Sequence, residues 1–180
     1  GPFRMTFLRH LTALSGVGVG GGSLVYAGVL SRPRDEFFRA PSWAHLADWR
    51  AELEPHYATA RRMLGAARVP GDTIPDRLLR ALARDLGREG DHHPTEVSVF
   101  FGEPGATVPD PYFGGRGPDR TGCIQCGGCM VGCRHGAKNT LDRNYLWLAE
   151  GKGAEVRAET RVTALRPAGA GWEVEAVQGR

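Results

Sequence analysis

Apolar residues come in short bursts separated by glycine and proline, and the spacing inside each burst predicts its element. Residues 11–15 alternate as a short strand. They run into Gly16-Val17-Gly18-Val19-Gly20-Gly21-Gly22-Ser23, and apolar residues resume over 24–30. Ser42 stands as an N-cap before Trp43, Leu46, Ala47, Trp49, Arg50 and Leu53. Pro55 fits the first turn of a further helix ending at Leu64-Gly65, so two consecutive helices are expected. Another helix, over 76–86, carries Leu78, Leu79, Leu82 and Leu86 on one face and stops at Gly87. That stripe reads as core packing. Val97, Val99 and Phe101 alternate, which predicts a strand of about six residues. From 102 to 122 the period vanishes in a Gly- and Pro-rich loop with the length of a lid or binding loop. Leu141, Tyr145 and Leu148 recur at helical spacing behind a cap at Asn139 or Thr140. Residues 155–158, 161–165 and 172–177 read as strands, the last two as a hairpin around Gly169-Ala170-Gly171. No internal repeat is present, and the mixture of elements predicts an α/β chain of the α+β kind.

Composition narrows the class. The chain has 180 residues, of which 41% are hydrophobic and 24% charged, as in one ordinary globular domain. A disordered, collagen-like or coiled-coil chain is excluded. Its 26 glycines are about twice the usual share and crowd at 16–22 and 114–136, where backbone approaches something closely. Net charge is +3, with Arg spread among Asp and Glu, so there is no basic run for a nucleic-acid partner. No stretch reaches the roughly 18 apolar residues of a spanning helix, so no transmembrane segment is expected. Residues 5–14 mimic a short signal peptide, but glycines follow and no small-x-small cleavage site does. The expectation is a cytoplasmic protein without a secretory leader. The opening Gly1-Pro2 lacks an initiator Met, and residues 172–178 end in strand sequence, so the chain reads as cut from a longer one.

Two constellations bear chemistry. Gly16, Gly18 and Gly21 satisfy G-x-G-x-x-G, with Asp35 or Glu36 near the distance of a ribose-binding acid. Ser31, Arg32 and Pro33 precede those acids and read as a turn rather than a second strand, so a simple Rossmann unit does not fit. Successive glycines nonetheless strip a stretch of backbone of Cβ atoms and let its N–H groups meet a phosphate or a flat ring. The alternative, a flexible linker, is disfavoured by apolar flanks on both sides.

The second constellation is Cys123-x2-Cys126-x2-Cys129-x3-Cys133, which holds every cysteine of the chain. The spacing is that of a bacterial ferredoxin run, although Arg134 stands where that motif has Pro. Four thiolates could instead hold zinc, form disulfides in an oxidising compartment, or simply pack a glycine-rich loop. His92-His93 has no partner at ligand spacing, His10, His45 and His56 sit in contexts typical of surface residues, and none of the histidines, His135 included, is named as a catalytic base.

Four stretches together resemble the glucose-methanol-choline (GMC) flavoprotein oxidoreductases, in particular their actinobacterial cholesterol-oxidase-like branch. They are residues 16–28, GVGVGGGSLVYAG; Trp49-Arg-Ala-Glu-Leu-Glu-Pro-His-Tyr with Arg62-Met-Leu-Gly; Val108-Pro-Asp-Pro-Tyr-Phe-Gly-Gly; and residues 122–146, GCIQCGGCMVGCRHGAKNTLDRNYL. The resemblance implies an FAD enzyme that oxidises the CH–OH group of a sterol or other bulky alcohol. Over 1–180 it implies an interior part of the FAD-binding region of a GMC fold. Residues 1–40 would carry the flavin-contacting glycine loop, 41–122 substrate-side helices, 123–150 the cysteine segment and a helix, and 151–180 a β segment. The remaining N- and C-terminal parts of the same enzyme would then be partners, and they would hold the pyrophosphate motif and the catalytic base. By position, Gly18, Gly20, Gly21, Gly22 and Ser23 correspond to the loop passing the ribityl chain and ring. Tyr26, Ala27 and Val29 correspond to the lining of the isoalloxazine, and Val162 to the residue whose backbone meets adenine. Relatives without the cysteine quartet share the flavin chemistry, which leaves Cys123, Cys126, Cys129 and Cys133 outside hydride transfer. An iron-sulfur cluster there, carrying electrons to another acceptor, stands as an alternative, as does a non-catalytic structural or interaction domain. Lys138 and Asn139 are expected as a solvated helix cap.

Overall fold

A computed structural model describes residues 3–179; the Gly1-Pro2 opening lies outside them. Strands β1 (Phe3–Phe7) and β2 (Thr12–Gly16) form an antiparallel hairpin with Phe3 opposite Gly16. The leader-like residues are therefore mostly sheet. The glycine run turns through a 3-10 helix over Gly21–Leu24, and a single helical turn, α1 (Asp35–Phe38), seats the buried Phe38 ring.

The two helices expected over 42–64 are one, α2 (Trp49–Met63). Asp48 rather than Ser42 caps it, accepting from the Ala51 N–H at 3.1 Å, while residues 41–46 are turns held by the Trp43 indole N–H on the Phe37 carbonyl. Pro55 lies inside α2. It removes the donor that the Ala51 carbonyl would otherwise receive, on an exposed stretch of the helix.

Helix α3 (Ile74–Asp85) lies within two residues of expectation and starts on a capping box. The Thr73 hydroxyl accepts from the Asp76 N–H, and the Asp76 carboxylate accepts from the Thr73 N–H at 2.8 Å. Thr73→Ala is expected to cost about 1 kcal/mol in a denaturant melt; an unchanged midpoint would show the cap idle. The leucine stripe is not core here, because Leu78 is 66% exposed and Leu82 52%. Period identifies which face is apolar, and says nothing of whether the covering element lies within the same 180 residues.

Two-residue strands β3 (Ala67–Arg68) and β4 (Glu96–Val97) pair antiparallel, so the expected six-residue strand is short. Beyond it the chain changes partner: Val99 bridges Lys138, the Phe100 N–H reaches the Ala137 carbonyl, and the Asn139 N–H reaches the Ser98 carbonyl. The segment expected to be structureless contains β5 (Thr107–Val108) paired with β6 (Arg120–Thr121). Between them the Asp110 carboxylate collects the N–H groups of Tyr112, Phe113, Gly115 and Gly117. Burial alone would raise the Asp110 pKa; these four donors overcome it and hold the carboxyl below its usual range.

The next helix, α4 (Tyr145–Glu150), starts later than expected, on the Asn144 side chain, after a 3-10 turn over Leu141–Arg143. No strand forms over 155–158, whereas β7 (Thr160–Ala168) and β8 (Gly171–Gln178) make the expected hairpin. Every named strand pairs antiparallel, which fits an α+β segment. The small apolar core is Val97, Val99 and Ala137, with Val69, Phe101, Cys123 and Cys133 packed on it. Among the described residues no helix is long and apolar enough to cross a membrane.

Candidate functional site at the junction of the glycine loop and the cysteine segment

The extended pairing of 98–100 with 137–139 turns the Lys138 side chain inward, where the residue is 1% exposed. This corrects the expectation of a solvated cap. Its Nζ donates to the carbonyls of Leu24 (2.9 Å), Tyr26 (2.9 Å) and Cys129 (2.7 Å), which uses all three ammonium donors. It also lies 4.9 Å from the centroid of the Tyr26 ring. Burial lowers the Lys138 pKa, and the nearby Cys129, Cys133 and Asp142 act the other way.

The loop is fastened at two further points. Ser23 Oγ donates to the Gly20 carbonyl at 2.6 Å and accepts from the Leu141 N–H at 2.9 Å. The Tyr26 hydroxyl donates to the Asn139 carbonyl at 2.8 Å and meets the Ser98 hydroxyl. Burial pushes the Tyr26 phenol up. Tyr26 is thus spoken for by the protein itself, a role its place in the sequence does not announce.

Gly20 caps the 3-10 turn with φ 104°, a left-handed conformation that suits glycine. On the outer side the loop is open: a Cβ built on Gly21 or Gly22 meets no atom within 4 Å. Beside Gly20 lies Asp142, whose Oδ1 is buried without a hydrogen-bond partner and sits 3.2 Å from where a Gly20 Cβ would stand. Of the sequence candidates, Gly20, Gly21, Ser23 and Tyr26 are half-buried at this junction, while Gly18, Gly22, Ala27 and Val29 are exposed along the same segment. Val162 is elsewhere in the chain's architecture, exposed on β7 opposite Ala176. Among the described residues no hydrogen bond links the β7–β8 hairpin to the loop.

Behind the junction, Asn139 and Arg120 are both 0% exposed. Asn139 Oδ1 accepts from Arg120 Nε (3.1 Å) and Nη2 (3.0 Å), and its Nδ2 donates to the Leu64 carbonyl at 3.0 Å. Arg120 spends its remaining donors on the carbonyls of Pro118, Asp119 and Arg143. The pair ties α2, the 102–122 segment and residues 139–143 together. Ser98, Arg120 and Asp142 were not singled out from the sequence. For Lys138 there is a signal: it is one of two lysines among 23 basic residues, and a compact three-donor ammonium suits convergent carbonyls better than a planar guanidinium.

The four cysteines are unpaired, and all four line one cavity of about 290 Å³ with Val97, Val99, Ala137 and Lys138 in its wall. The Gln125 N–H donates to Cys123 Sγ at 3.3 Å. Burial raises the Cys129 thiol, against the pull of Lys138. At Cys133 burial also works upward, but backbone N–H groups of Lys138, His135, Ala137 and Gly136 outweigh it and lower the pKa. Among the described residues no three His, Cys, Asp or Glu side chains form a group that could hold a metal ion. His10, His45, His56 and His93 are exposed, and His135 is half-buried in the cavity wall.

No family model matches the chain. Cholesterol oxidases of Mycobacterium tuberculosis, strains CDC 1551 and H37Rv, are 52% identical to it over 177 residues, covering 95% of this chain and 31% of theirs. A cholesterol oxidase of Acinetobacter baumannii is 46% identical over 171 residues, 93% of this chain and 31% of that one. The match runs through the glycine loop, the cysteine segment and everything between. Nearly the whole chain is therefore a cholesterol-oxidase-like segment, and it spans 31% of the length of the curated relatives it matches.

Proposed function

We propose that this chain is the flavin-contacting part of an FAD-dependent GMC oxidoreductase that oxidises the CH–OH group of a sterol-like alcohol. The observation that carries the reading is 52% identity to cholesterol oxidases along 95% of the chain. The junction fits the group. A side-chain-free, outward-open face at Gly21 and Gly22 leaves room for a flat ligand against the backbone, and the unpartnered Asp142 Oδ1 offers an acceptor for a ligand hydroxyl beside Gly20. When bound, FAD supplies the two-electron acceptor that such an oxidation requires.

The chain's own residues hold and orient. Ser23 fixes the loop to Leu141, Lys138 fixes its exit at Leu24 and Tyr26, and Tyr26 closes onto Asn139. Gly18 to Ser23 would meet the ribityl chain and ring, Ala27 and Val29 the ring edge, and Val162 the adenine once its hairpin is packed by the rest of the enzyme. No catalytic base is assigned to this chain. The four unpaired thiols suit the reducing cytoplasm, the location we assign.

Full-length protein is expected to purify yellow, with flavin near one per chain, and to bleach anaerobically on adding cholesterol. Gly22→Leu separates the site from the fold. Gly22 has open space beside it and lies in a right-handed turn, so the substitution should leave the melting temperature alone while cutting flavin content at least tenfold. Unchanged flavin content in Gly22→Leu would remove the loop from the site. Protein free of flavin would sink the whole reading.

A further inference from the structure

The chain leaving the glycine loop helps to close a second concavity, lined by none of the cysteines. The Leu30 N–H donates to the Glu96 carbonyl at 2.9 Å and Val29 bridges Val97, which starts residues 30–34 at the edge of β4. Arg68 of β3 stands directly opposite Glu96 in the sheet register. Arg61, in the last turn of α2, reaches the same place by setting its guanidinium on the Glu96 carboxylate. The result is a cleft of about 520 Å³ whose wall includes Arg32, Arg34, Arg61, Arg68, His93 and Glu96.

Negative charge is scarce in that wall. Among the described residues Glu96 is its one carboxylate, and Arg61 holds both of its oxygens, Oε1 at 2.6 Å. The Arg61 hydrogen bond, with the charge of Arg68 added, keeps the Glu96 carboxyl below its usual range, so the pair stays ionised. Arg32 is taken by Glu54, which lies outside the wall, and sits 5.4 Å from the centroid of the Tyr57 ring. Asp35 pairs with Arg50 at 2.9 Å, and neither it nor Glu36 belongs to the wall. His93 gives its Nδ1 proton to the Asp91 carbonyl at 3.0 Å and can only add to the positive side. Arg34 and Arg68 are left, among the described residues, without a carboxylate partner. Exposed guanidiniums are well hydrated and need no partner for stability. Gathered in a cleft, however, charges of one sign focus their field between low-dielectric walls and draw anions in. A guanidinium fork grips an oxyanion through two parallel N–H donors. Two unmatched guanidiniums call for two negative charges on one small group, which a phosphomonoester supplies and a single carboxylate does not. Leu30 and Pro94 complete the wall, and the volume leaves room for an organic group beside the phosphate.

We propose that the cleft between residues 30–34, α2 and the β3–β4 pair binds a phosphomonoester group, with Arg34 and Arg68 as the guanidiniums that hold it. None of its residues takes part in the flavin reading, and the two stand or fall separately.

The test titrates phenyl phosphate into full-length protein by calorimetry, at an ionic strength held constant with chloride. The expected result is saturable binding that Arg34→Gln and Arg68→Gln each weaken about tenfold or more, the loss that goes with one charge-assisted hydrogen bond. Both side chains are exposed and free of ion pairs, and Arg34 makes no side-chain cap on α1, so both variants should melt as the parent does. Arg62→Gln, exposed on α2 outside the wall, controls for net charge and should bind as the parent. Sedimentation with phosphatidic-acid vesicles separates two sources of the group: vesicle binding lost in Arg34→Gln assigns it to a lipid headgroup, and soluble binding alone assigns it to a free phosphomonoester. Absence of saturable phenyl phosphate binding would overturn the proposal, as would equal weakening in Arg62→Gln. Loss of flavin from Arg34→Gln together with phosphate binding would overturn it too, because the anion would then be the cofactor's own pyrophosphate. Flavin-free protein that still binds phenyl phosphate through Arg34 and Arg68 would uphold this site and sink only the flavin reading.

Discussion

Asn139→Ala is expected to lower the stability of the protein by about 3 kcal/mol or more, read as a shift in the midpoint of a urea melt. The side chain is fully buried and makes three hydrogen bonds, two of them from the Arg120 guanidinium. Alanine leaves Arg120 Nε without that acceptor and the Leu64 carbonyl without that donor. A Cβ on Gly65 would lie 2.7 Å from Asn139 Nδ2 and 2.4 Å from the Tyr112 ring, which measures how tightly the site is filled. Leaving a charged group unpaired in the interior costs more than the net worth of the bond it made. Asn139→Asp should fall between parent and alanine. It keeps an acceptor for Arg120 but turns an oxygen toward the Leu64 carbonyl where a donor is needed. A loss under 1 kcal/mol for alanine would mean that Arg120 finds other acceptors and that the network is not what joins α2 to the junction.

The elements that could be read from the sequence are those whose causes are local. Helix α3 follows from a leucine period, a Thr73–Asp76 cap and a glycine stop, all within 15 residues. The β7–β8 hairpin follows from two alternating runs around a glycine turn. Val97 and Val99 are core, as their alternation implies. Expectations failed where the deciding partner is remote. Lys138 is buried because carbonyls 112 and 114 positions away converge on it, and no window of local sequence contains that information. The 102–122 segment looks structureless because its organiser is one carboxylate, Asp110, acting on backbone amides rather than a hydrophobic period. The same limit applies to the site. The glycines and cysteines were visible as types and spacings, but not that Ser23, Lys138 and Tyr26 bind the two segments together, nor that Asp142 lies beside Gly20. Exposure of the α3 stripe is the opposite case: the apolar face was legible, and its cover is not among the described residues.

Lys138→Met should loosen the glycine loop and the cysteine loop in one step, with the larger consequence at the ligand. Methionine keeps the apolar stem and the volume but removes the donor that the Leu24, Tyr26 and Cys129 carbonyls share. Two of those carbonyls lie where the chain leaves the glycine loop, and the third lies between the cysteines, so one ammonium fixes the spacing of the two segments. Each carbonyl left dry costs about 1–3 kcal/mol, but residues 24, 26 and 129 are only half-buried and can recruit water as the loops part. The net loss is therefore expected near 2–3 kcal/mol, and the relaxation that limits it also opens the junction. Flavin affinity of the full-length protein should fall at least tenfold, because a site built from main chain works only while the main chain is held in place. Lys138→Arg should not restore it, since a planar fork cannot place three donors on carbonyls that converge on one point. Lys152→Met, in the exposed turn after α4, serves as the control and should change neither quantity. If Lys138→Met matches the parent in both melting temperature and flavin content, the two loops are positioned by their packing alone, and the ammonium is a buried charge without the fastening role its three bonds imply.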